Sequence, residues 1–370
     1  MTTEFPTLWL RKWHDTVAIV VIVTASLIAS TKVVGQTRQY VVTELSNEDV
    51  AGVPCKLNNF GDIVGRTSSK GEGTPRATLW NRPHGSVKHL GVLLGGDYSS
   101  ATGINDSGEI AGSSNAATGI LPFIWTARGG LRPLPLLPGD TCGQAVAINK
   151  YGHVACYSSG RSGSKAILWT QKTGVRNLGI LPGGNYSKVH DLNDSDEVAG
   201  ASAGPAGDRA VVWTKSGNVR DLGTLPGDSA SEAVAINNAG DVVGYSEGPS
   251  GMRAFLWTKG GGMEDLGILP GGNSSRALDI NDSGTVVGSS SSSSGDRAFV
   301  WNKQTGVVDL NNVAPVAALS AVLVEAHAIN SKGEILAMGK MNHSDMTSGD
   351  DVCAPAPPNR SFLKQVVPLS

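Results

Sequence analysis

The sequence has little charge and few aromatic side chains: charged residues make up 17% of its 370 positions and aromatic residues 5%. Its 30 basic and 32 acidic side chains leave a net charge of −2. A chain without a basic surplus lacks the electrostatic footprint of a nucleic-acid-binding protein, so we expect no nucleic-acid partner. Long segments rich in Ala, Leu, Glu and Lys are also missing, and with 48 glycines the chain is not expected to be all-helical.

Long apolar runs are missing too, except near the N-terminus. Arg11 and Lys12 precede an uncharged, mostly apolar run at residues 16–29, which is the order of a secretory signal peptide. This run is short for a bilayer span of about 20 residues. We therefore predict a signal peptide over residues 1–35, cleaved before Gln36, with an uncleaved signal anchor as the alternative. After cleavage we expect no membrane span and a secreted, periplasmic or cell-surface protein.

What the sequence does contain is a repeat. An apolar residue, Asn, two further residues, Gly and a Val-rich run recur seven times, with steps of 47, 44, 44, 44, 44 and 49 residues between successive asparagines. A phrase that ends in Trp follows, mostly 20 residues later. The asparagines are Asn58, Asn105, Asn149, Asn193, Asn237, Asn281 and Asn330. The tryptophans are Trp80, Trp125, Trp169, Trp213, Trp257 and Trp301. Residues 36–370 are therefore predicted to form a single repeat domain.

Each repeat has the size of a propeller blade. In the copy that contains Asn237, strands are expected at residues 232–237, 241–246, 253–258 and 263–266, and four short antiparallel strands in about 44 residues suit a blade. The third strand is apolar on both faces, which indicates a sheet stacked between two others. We predict an all-β, seven-bladed β-propeller, with a β-solenoid as the alternative. The Asn should hold a hairpin turn, and residues 40–45 or 365–369 should close the ring.

The repeated phrases resemble those of the HAF-repeat family of extracellular bacterial repeat proteins over nearly all of residues 40–370. The resemblance lies in the phrases Leu-Gly-x-Leu-Pro-Gly-Gly, Ile-Asn-x-x-Gly-x-Val-Val-Gly and Ala-Phe-Leu-Trp. It departs before Ala-Phe, where the family name implies His and this chain has Arg253 and Arg297. The resemblance implies export and a repeat-built β fold, and it carries over no catalytic or binding residues.

Two local patterns suggest chemistry. Ser202 and Ser246 lie in Gly-x-Ser-x-Gly strings, but a nucleophile elbow needs a following helix, so we interpret both strings as repeat loops. The segment that begins at Asp279 resembles the start of a calcium loop, yet its twelfth position is Ser290 and only Asp191 matches Asp279 in another copy. We therefore expect no cofactor, with calcium at Asp191 or Asp279 as the alternative.

A set of basic residues recurs four positions before the Trp slot. It could line a channel for an anionic glycan or peptide; the alternative, which we favour, is pairing with acidic groups such as Asp221, Asp265 and Asp309 on the neighbouring strand. The set is Arg76, Lys165, Arg209, Arg253, Arg297 and Arg360.

Four cysteines in an exported chain suggest two disulfides, for which three connectivities exist. Cys142 and Cys156 flank one hairpin, and Cys55 and Cys353 belong to the first and last repeats, which a closed ring makes neighbours. We predict these two pairs. Cys353 lies in a loop insertion at residues 341–359, whose composition suits a surface loop.

The function predicted from the sequence is that of a monomeric, non-catalytic binding module for a glycan, a peptide or a surface protein. The alternatives are a propeller lyase or hydrolase with a site at the channel mouth and a structural envelope protein. An enzyme would need histidines or carboxylates that converge at that mouth. We find no common repeat position for the histidines, which favours the binding module. The histidines considered are His84, His89, His153, His190 and His327.

Overall fold

The computed structural model describes residues 16–17, 50–69, 73–81, 85–205, 207–314 and 321–341, and in these ranges the chain is almost entirely β. Its strands form seven antiparallel sheets, six of them four-stranded and one three-stranded. The sheets follow one another in chain order, one for each Asn repeat. The predicted all-β propeller fold is therefore confirmed, with seven blades.

The first three blades each contain four strands. Blade 1 comprises β2 (Val50–Leu57), β3 (Ile63–Ser69), β4 (Arg76–Asn81) and β5 (Ser86–Gly91). Blade 2 comprises β6 (Ser99–Ile104), β7 (Ile110–Ala116), β8 (Gly119–Thr126) and β9 (Gly130–Pro133). Blade 3 comprises β10 (Cys142–Ile148), β11 (Val154–Gly160), β12 (Gly163–Thr170) and β13 (Gly174–Asn177).

Blades 4 to 6 repeat this order, and blade 7 differs. Blade 4 comprises β14 (Ser187–Leu192), β15 (Val198–Gly204), β16 (Gly207–Trp213) and β17 (Val219–Asp221). Blade 5 comprises β18 (Ala230–Ile236), β19 (Val242–Gly248), β20 (Gly251–Thr258) and β21 (Gly262–Asp265). Blade 6 comprises β22 (Ser275–Ile280), β23 (Val286–Ser290), β24 (Arg297–Asn302) and β25 (Gly306–Asp309). Blade 7 comprises β26 (Ala321–Ile329), β27 (Ile335–Met341) and β1 (Thr16–Val17), which pairs with β27; the short helix α1 (Leu310–Val313) precedes β26.

The strands of blade 5 lie within a few residues of their expected positions, because each is bounded by turn residues. The link to blade 6 is a type II turn: Gly272 N–H donates to Leu269 O at 3.0 Å. Gly271 adopts a φ of +77°, which a side chain would disfavour at this position of the turn.

The hydrophobic core lies between blades rather than within one. Trp213 of β16, fully buried, packs with Val189 and Val211 of its own blade and with Leu168 and Leu178 of blade 3. All six tryptophans of the repeat are buried, at most 9% exposed. Clusters of this kind lie at the joints between neighbouring blades, so the stabilisation from apolar burial is distributed around the ring.

The ring closes between blades 7 and 1, which excludes the solenoid. Leu57, Ile63 and Trp80 of blade 1 share a cluster with Ala328 and Leu336 of blade 7. Both segments proposed to supply the closing strand, residues 40–45 and 365–369, lie outside the described residues. So do the loop insertion beyond Met341 and all of the predicted signal peptide except β1. Cleavage of that peptide stays a prediction.

The predicted Cys142–Cys156 disulfide is wrong. The two residues lie on paired strands, but Cys142 is opposite Ser159 and Cys156 is opposite Ala145, so they are three positions out of register. That offset is roughly 10 Å along a strand, whereas a disulfide needs Cα atoms within about 7 Å. Both thiols are free, and burial raises the pKa of the Cys156 thiol. The Cys55–Cys353 pair stays a prediction, because Cys353 lies outside the described residues.

Candidate functional site

Each repeat Asn folds its own hairpin turn, as the sequence predicts. In blade 5, Asn237 Oδ1 accepts the N–H groups of Ala239 at 3.1 Å and Asp241 at 2.9 Å. Gly240 N–H donates to Asn237 O at 3.0 Å, with Gly240 at a φ of +83°. The amide oxygen therefore replaces backbone acceptors inside a tight turn. In blade 4 the glycine position holds Asp196, which adopts the same left-handed conformation with φ +61°.

The amide nitrogen of each Asn joins one blade to the next, which the sequence analysis did not foresee. Asn193 Nδ2 donates to Asn237 O at 3.1 Å, and Asn330 Nδ2 donates to Asn58 O at 3.0 Å, 272 residues away along the chain. The remaining five asparagines bond in the same sense. They are Asn58, Asn105, Asn149, Asn237 and Asn281, with N···O distances of 3.0–3.4 Å. Seven hydrogen bonds thus encircle the channel at the mouth where these turns lie, which we name the Asn-turn mouth.

A cavity of about 220 Å³ lies in the channel at this mouth, lined by residues of all seven blades. The innermost strands β2, β6, β10, β14, β18, β22 and β26 contact one another around it. Its charged lining consists of five aspartates and two lysines: Asp106, Asp191, Asp194, Asp279, Asp282, Lys56 and Lys150. The cavity is therefore acidic, which favours a cationic ligand group.

Asp191 and Asp279 stand two residues before the Asn in blades 4 and 6 and line this cavity. Asp191 Oδ2 accepts Ile236 N–H at 3.0 Å, and Asp279 Oδ2 accepts Ile329 N–H at 2.9 Å. Lys56, at the same position of blade 1, places Nζ 3.0 Å from Asp279 Oδ1. The oxygens of Asp279 are thus taken by an ammonium and an amide, so the calcium-loop pattern in the sequence does not gather calcium ligands here. Within the described ranges we find no group of three or more His, Cys, Asp or Glu side chains placed to hold a metal.

Two carboxylates share the single ammonium of Lys56. Burial raises the pKa of Asp191; the Lys56 ammonium counteracts this, and the Asp279 carboxylate adds to it, so that the pKa stays above its ordinary value. Burial alone would lower the pKa of Lys56, but Asp279 and Asp191 raise it. Lys56 makes its close contact with Asp279, so Asp191 is the carboxylate with the less complete neutralisation.

The rim of the cavity is formed by the residues directly after each Asn. Asp194 Oδ1 accepts Lys150 N–H at 3.1 Å, and Lys150 Nζ lies 3.2 Å from Asp194 Oδ2. Asp106 and Asp282 each accept the backbone N–H and the side-chain amide of Asn59 and Asn238, respectively. The rim carboxylates therefore have fixed positions, set by the preceding blade.

A second charged layer lies nearer the start of the innermost strands, and it corrects our interpretation of the histidines. His190 and His327 do share a repeat position, three residues before the Asn. His190 Nε2 lies 2.5 Å from Glu232 Oε1, and His327 Nε2 lies 3.0 Å from Glu325 Oε1. We name this the strand-start layer; its charged members are Lys188, His190, Glu232, Arg276, Glu325 and His327.

The carboxylates of the strand-start layer each contact a histidine and a Lys or Arg side chain. Lys188 Nζ lies 3.7 Å from Glu232 Oε2, and Arg276 contacts Glu325. Burial would raise the pKa of Glu232, but the hydrogen bond and charge of His190, with Lys188, lower it to about 2. His327 and Arg276 outweigh burial in the same way and lower the pKa of Glu325 to about 2. Carboxylates that remain ionised to such low pH are poor general acids and weak bases at neutral pH.

The recurrent basic residues lie away from this cavity, at the start of the third strands. Arg253 contacts Asp265 Oδ2 at 3.1 Å and Asp228 Oδ1 at 2.9 Å, and Arg297 lies 3.8 Å from Asp309. Pairing with neighbouring acidic groups is confirmed for these two. Lys165 Nζ is 4.0 Å from Asp140. Arg76 and Arg209 occupy the same strand position, Arg360 lies outside the described residues, and none of the five described members lines the cavity.

Ser202 and Ser246 are buried within strands β15 and β19, not on a nucleophile elbow. Their Oγ atoms accept the N–H groups of Leu181 at 2.9 Å and Leu225 at 3.0 Å, so they hold the link between blades. The two serines do share one repeat position, but our interpretation of the strings as loops is wrong, because both serines lie within the second strand of their blades. The same serine position recurs as Ser114, Ser158 and Ser290, and only its 44-residue spacing marks it in the sequence.

No protein-family model matches the chain, and no curated protein matches it in sequence. Among solved structures it is similar to an oligogalacturonate lyase in complex with manganese, at 12% identity and a TM-score of 0.54, over 88% of this chain and 97% of that one. It is also similar to the β-propeller domain of the trilobed protease from Pyrococcus furiosus, at 7% identity and a TM-score of 0.54, over 80% and 90% of the two chains.

A third similar structure comes from a structural and mechanistic study of two prolyl endopeptidases, at 13% identity and a TM-score of 0.55, over 75% of this chain. The chain spans only 46% of that protein's length. Within the described residues no helix is long and apolar enough to cross a membrane. Similarity at these identities extends to the fold, and the chain is thus a β-propeller whose site must be understood from its own residues.

Proposed function

We propose that the chain is an exported, non-catalytic binding module whose central cavity receives a positively charged group of its ligand. The observation that carries the proposal is the surplus of five aspartates over two lysines in a cavity of about 220 Å³. Export rests on the signal-like N-terminus and on the resemblance to the HAF-repeat family.

Asp191 supports this assignment because its carboxylate charge is only partly neutralised. A cation beside Asp191 would complete the neutralisation that Lys56 divides between two carboxylates. A charged hydrogen bond in such a cavity contributes more than one formed in open water. An anionic ligand would be repelled by the surplus of carboxylates, which carry charge of the same sign, so the acidic glycan considered from the sequence fits this mouth poorly.

The arrangement of the charged groups supports binding rather than catalysis. Glu232 and Glu325 are held ionised by His and Lys or Arg partners, and Asp279 is held by Lys56 and a backbone amide. Glu232 and Glu325, which stay ionised to about pH 2, do not exchange protons readily at neutral pH.

The proposal is tested by titrating the purified protein with n-butylammonium and with butyrate, its charge-reversed match, and following chemical shifts. We expect saturable shifts at the Asn-turn mouth with the amine only, weakened by added salt. Asp191→Asn should lower the affinity for the amine by about tenfold. Asp296 is an exposed aspartate outside the cavity, and Asp296→Asn should leave that affinity unchanged. Equal binding of butyrate, or no shift with the amine, would overturn the proposal, and turnover of a bound substrate would overturn its non-catalytic half.

A further inference from the structure

Two large aromatic side chains stand exposed at the Asn-turn mouth, where the fold makes no use of them. Phe60 is 64% exposed and Tyr151 is 62% exposed. Both occupy the second position after the repeat Asn, at the tips of the turns of blades 1 and 3. In the other blades this position holds small or polar residues: Ser107, Ser195, Ala239, Ser283 and Lys332.

The two rings stand on one side of the acidic cavity. Phe60 follows the rim residue Asn59 directly, and Tyr151 follows the rim residue Lys150. Between them, blade 2 presents Ser107, so the three turn tips form an arc with an aromatic ring at each end. Lys332 Nζ lies 5.9 Å from the Phe60 ring and Lys150 Nζ lies 5.0 Å from the Tyr151 ring, which orients the rings without covering them.

We propose that the ligand is a segment of a partner protein that lays apolar side chains against Phe60 and Tyr151 and directs a neighbouring Lys or Arg side chain into the cavity. This inference rests on the proposed function and adds the class of partner. A small amine would need the cavity alone, whereas the combination of an apolar arc and an adjacent acidic cavity suits a polypeptide. Successive side chains of an extended segment are about 3.3 Å apart along the chain, which brings unlike groups to adjoining sites.

The energetic pattern also suits a protein partner. Aromatic side chains that become buried at an interface are among its strongest contributors, while the charged groups around them steer association and fix the register. Phe60 and Tyr151 would supply the buried aromatic contact. Asp191 at the bottom of the cavity and Asp194 on the rim would select the cation.

The test compares the peptide Ac-Gly-Leu-Lys-Leu-Gly-NH2 with the same peptide carrying norleucine for Lys and with n-butylammonium. We expect the Lys peptide to bind the full-length protein at least tenfold more tightly than either probe. The double substitution Phe60→Ala and Tyr151→Ala should lower the affinity for the Lys peptide about tenfold. It should leave the affinity for n-butylammonium unchanged. Asp191→Asn should weaken both cationic probes. Leu94→Ala, at a 95% exposed apolar residue away from the rim, is the matched control and should change neither.

The outcomes separate the inference from the function on which it rests. If the Lys peptide binds no more tightly than n-butylammonium, the partner class is wrong and the cationic cavity stands. If neither probe binds, both fail. Binding of a glucosamine oligomer in preference to the peptide, with the same dependence on Phe60 and Tyr151, would assign the arc to an amino sugar and overturn the protein partner.

Discussion

The Asn turns and the channel-facing positions just before them lie within three residues of each other in every blade, yet they differ in kind. The turn recurs seven times, and in each copy its Asn accepts two N–H groups of the turn and donates to the Asn carbonyl oxygen of the next blade. Two residues earlier, the seven blades carry Lys56, Gly103, Ala147, Asp191, Ala235, Asp279 and Ala328. The repeated Asn therefore supplies the bonds that join neighbouring blades, whereas the position that varies between repeats supplies charged side chains to the channel.

The strand-start layer makes the same contrast within one ring of positions. Five residues before the Asn, blades 4 to 7 present Lys188, Glu232, Arg276 and Glu325, whose charges alternate in sign. Blades 1 to 3 present Val53, Ser100 and Gln144 at the same position. One half of the channel is therefore an ion-pair network, while the other half is neutral.

The largest expected effect comes from breaking the repeated turn. Asn193→Ala removes two hydrogen bonds to backbone N–H groups of its own turn and the bond to Asn237 O in the next blade. It also removes the bond to Glu197 Oε2. At roughly 1 kcal/mol for each buried bond, the free energy of unfolding should fall by about 4 kcal/mol in urea titrations. Asn218→Ala, in an exposed turn, should cost under about 1 kcal/mol. Equal losses in the two variants would remove the distinction between the turn ring and an ordinary turn.

The second prediction concerns the unrepeated ion pairs. The pKa of Glu232 is about 2 in the folded protein, against an ordinary value of 4.5, so the unfolded chain binds the proton more readily between these values. Stability from this group is complete above about pH 4.5 and is lost as the pH falls toward 2, in an amount of roughly 3 kcal/mol. Lys188, His190 and Tyr245 face its carboxylate.

Glu232→Gln should lower stability at pH 7 by about 2 kcal/mol, because Lys188 and His190 lose a charged partner. It should also flatten the fall in stability between pH 4.5 and 2. Urea midpoints at pH 3, 5 and 7 measure both effects, with Glu247→Gln at an exposed site as the control. An unchanged slope below pH 4.5 would show that the carboxylate does not carry this pH dependence.

The smallest effect is expected at two residues that depart from the repeat, His153 of blade 3 and Asp196 of blade 4. Blades 1, 2, 4, 5 and 7 have a carboxylate four residues after the Asn; in blade 4, Asn193 Nδ2 donates to that of Glu197. Blade 3 has His153 there, and Asp196 of blade 4 supplies the carboxylate, accepting from Asn149 Nδ2 at 3.1 Å and lying 2.6 Å from His153 Nδ1. The two departures from the repeat thus compensate each other.

His153→Glu alone should destabilise the protein by about 1 kcal/mol, because two carboxylates then compete for one amide. Adding Asp196→Gly should restore stability to the wild-type value or above, since glycine adopts φ +61° without strain. A double-mutant cycle in urea gives the coupling energy. Additive effects of the two substitutions would show that the departures are independent.

The fold was accessible from the sequence because its signals are local and occur many times. The Asn turn, the four strands and the Leu-Pro-Gly-Gly turn each lie within a dozen residues, and the Trp phrase marks the third strand. Because the signals recur in seven copies, a deviation in any single copy does not obscure them. The joint between blades 7 and 1 was predicted from the count of repeats, and the sequence left residues 40–45 and 365–369 as alternatives for the closing strand.

The site was less accessible, because it depends on register and on distant neighbours. A β-bulge separates Val189 from Asp191 in β14, so simple alternation of side chains cannot tell whether His190 or Asp191 faces the channel. The predicted Cys142–Cys156 disulfide was wrong for the same reason, because the strand register that separates the two residues is not evident from the sequence. The contact of Lys56 with Asp279 joins residues five blades apart in sequence order, and no periodic pattern encodes it.

The ring of asparagine bonds has a direction. All seven amides donate to the following blade, so the bonds run in one direction around the channel. A closed ring of joints has no end blade from which opening could start. The seven joints should therefore loosen as one cooperative unit rather than one blade at a time.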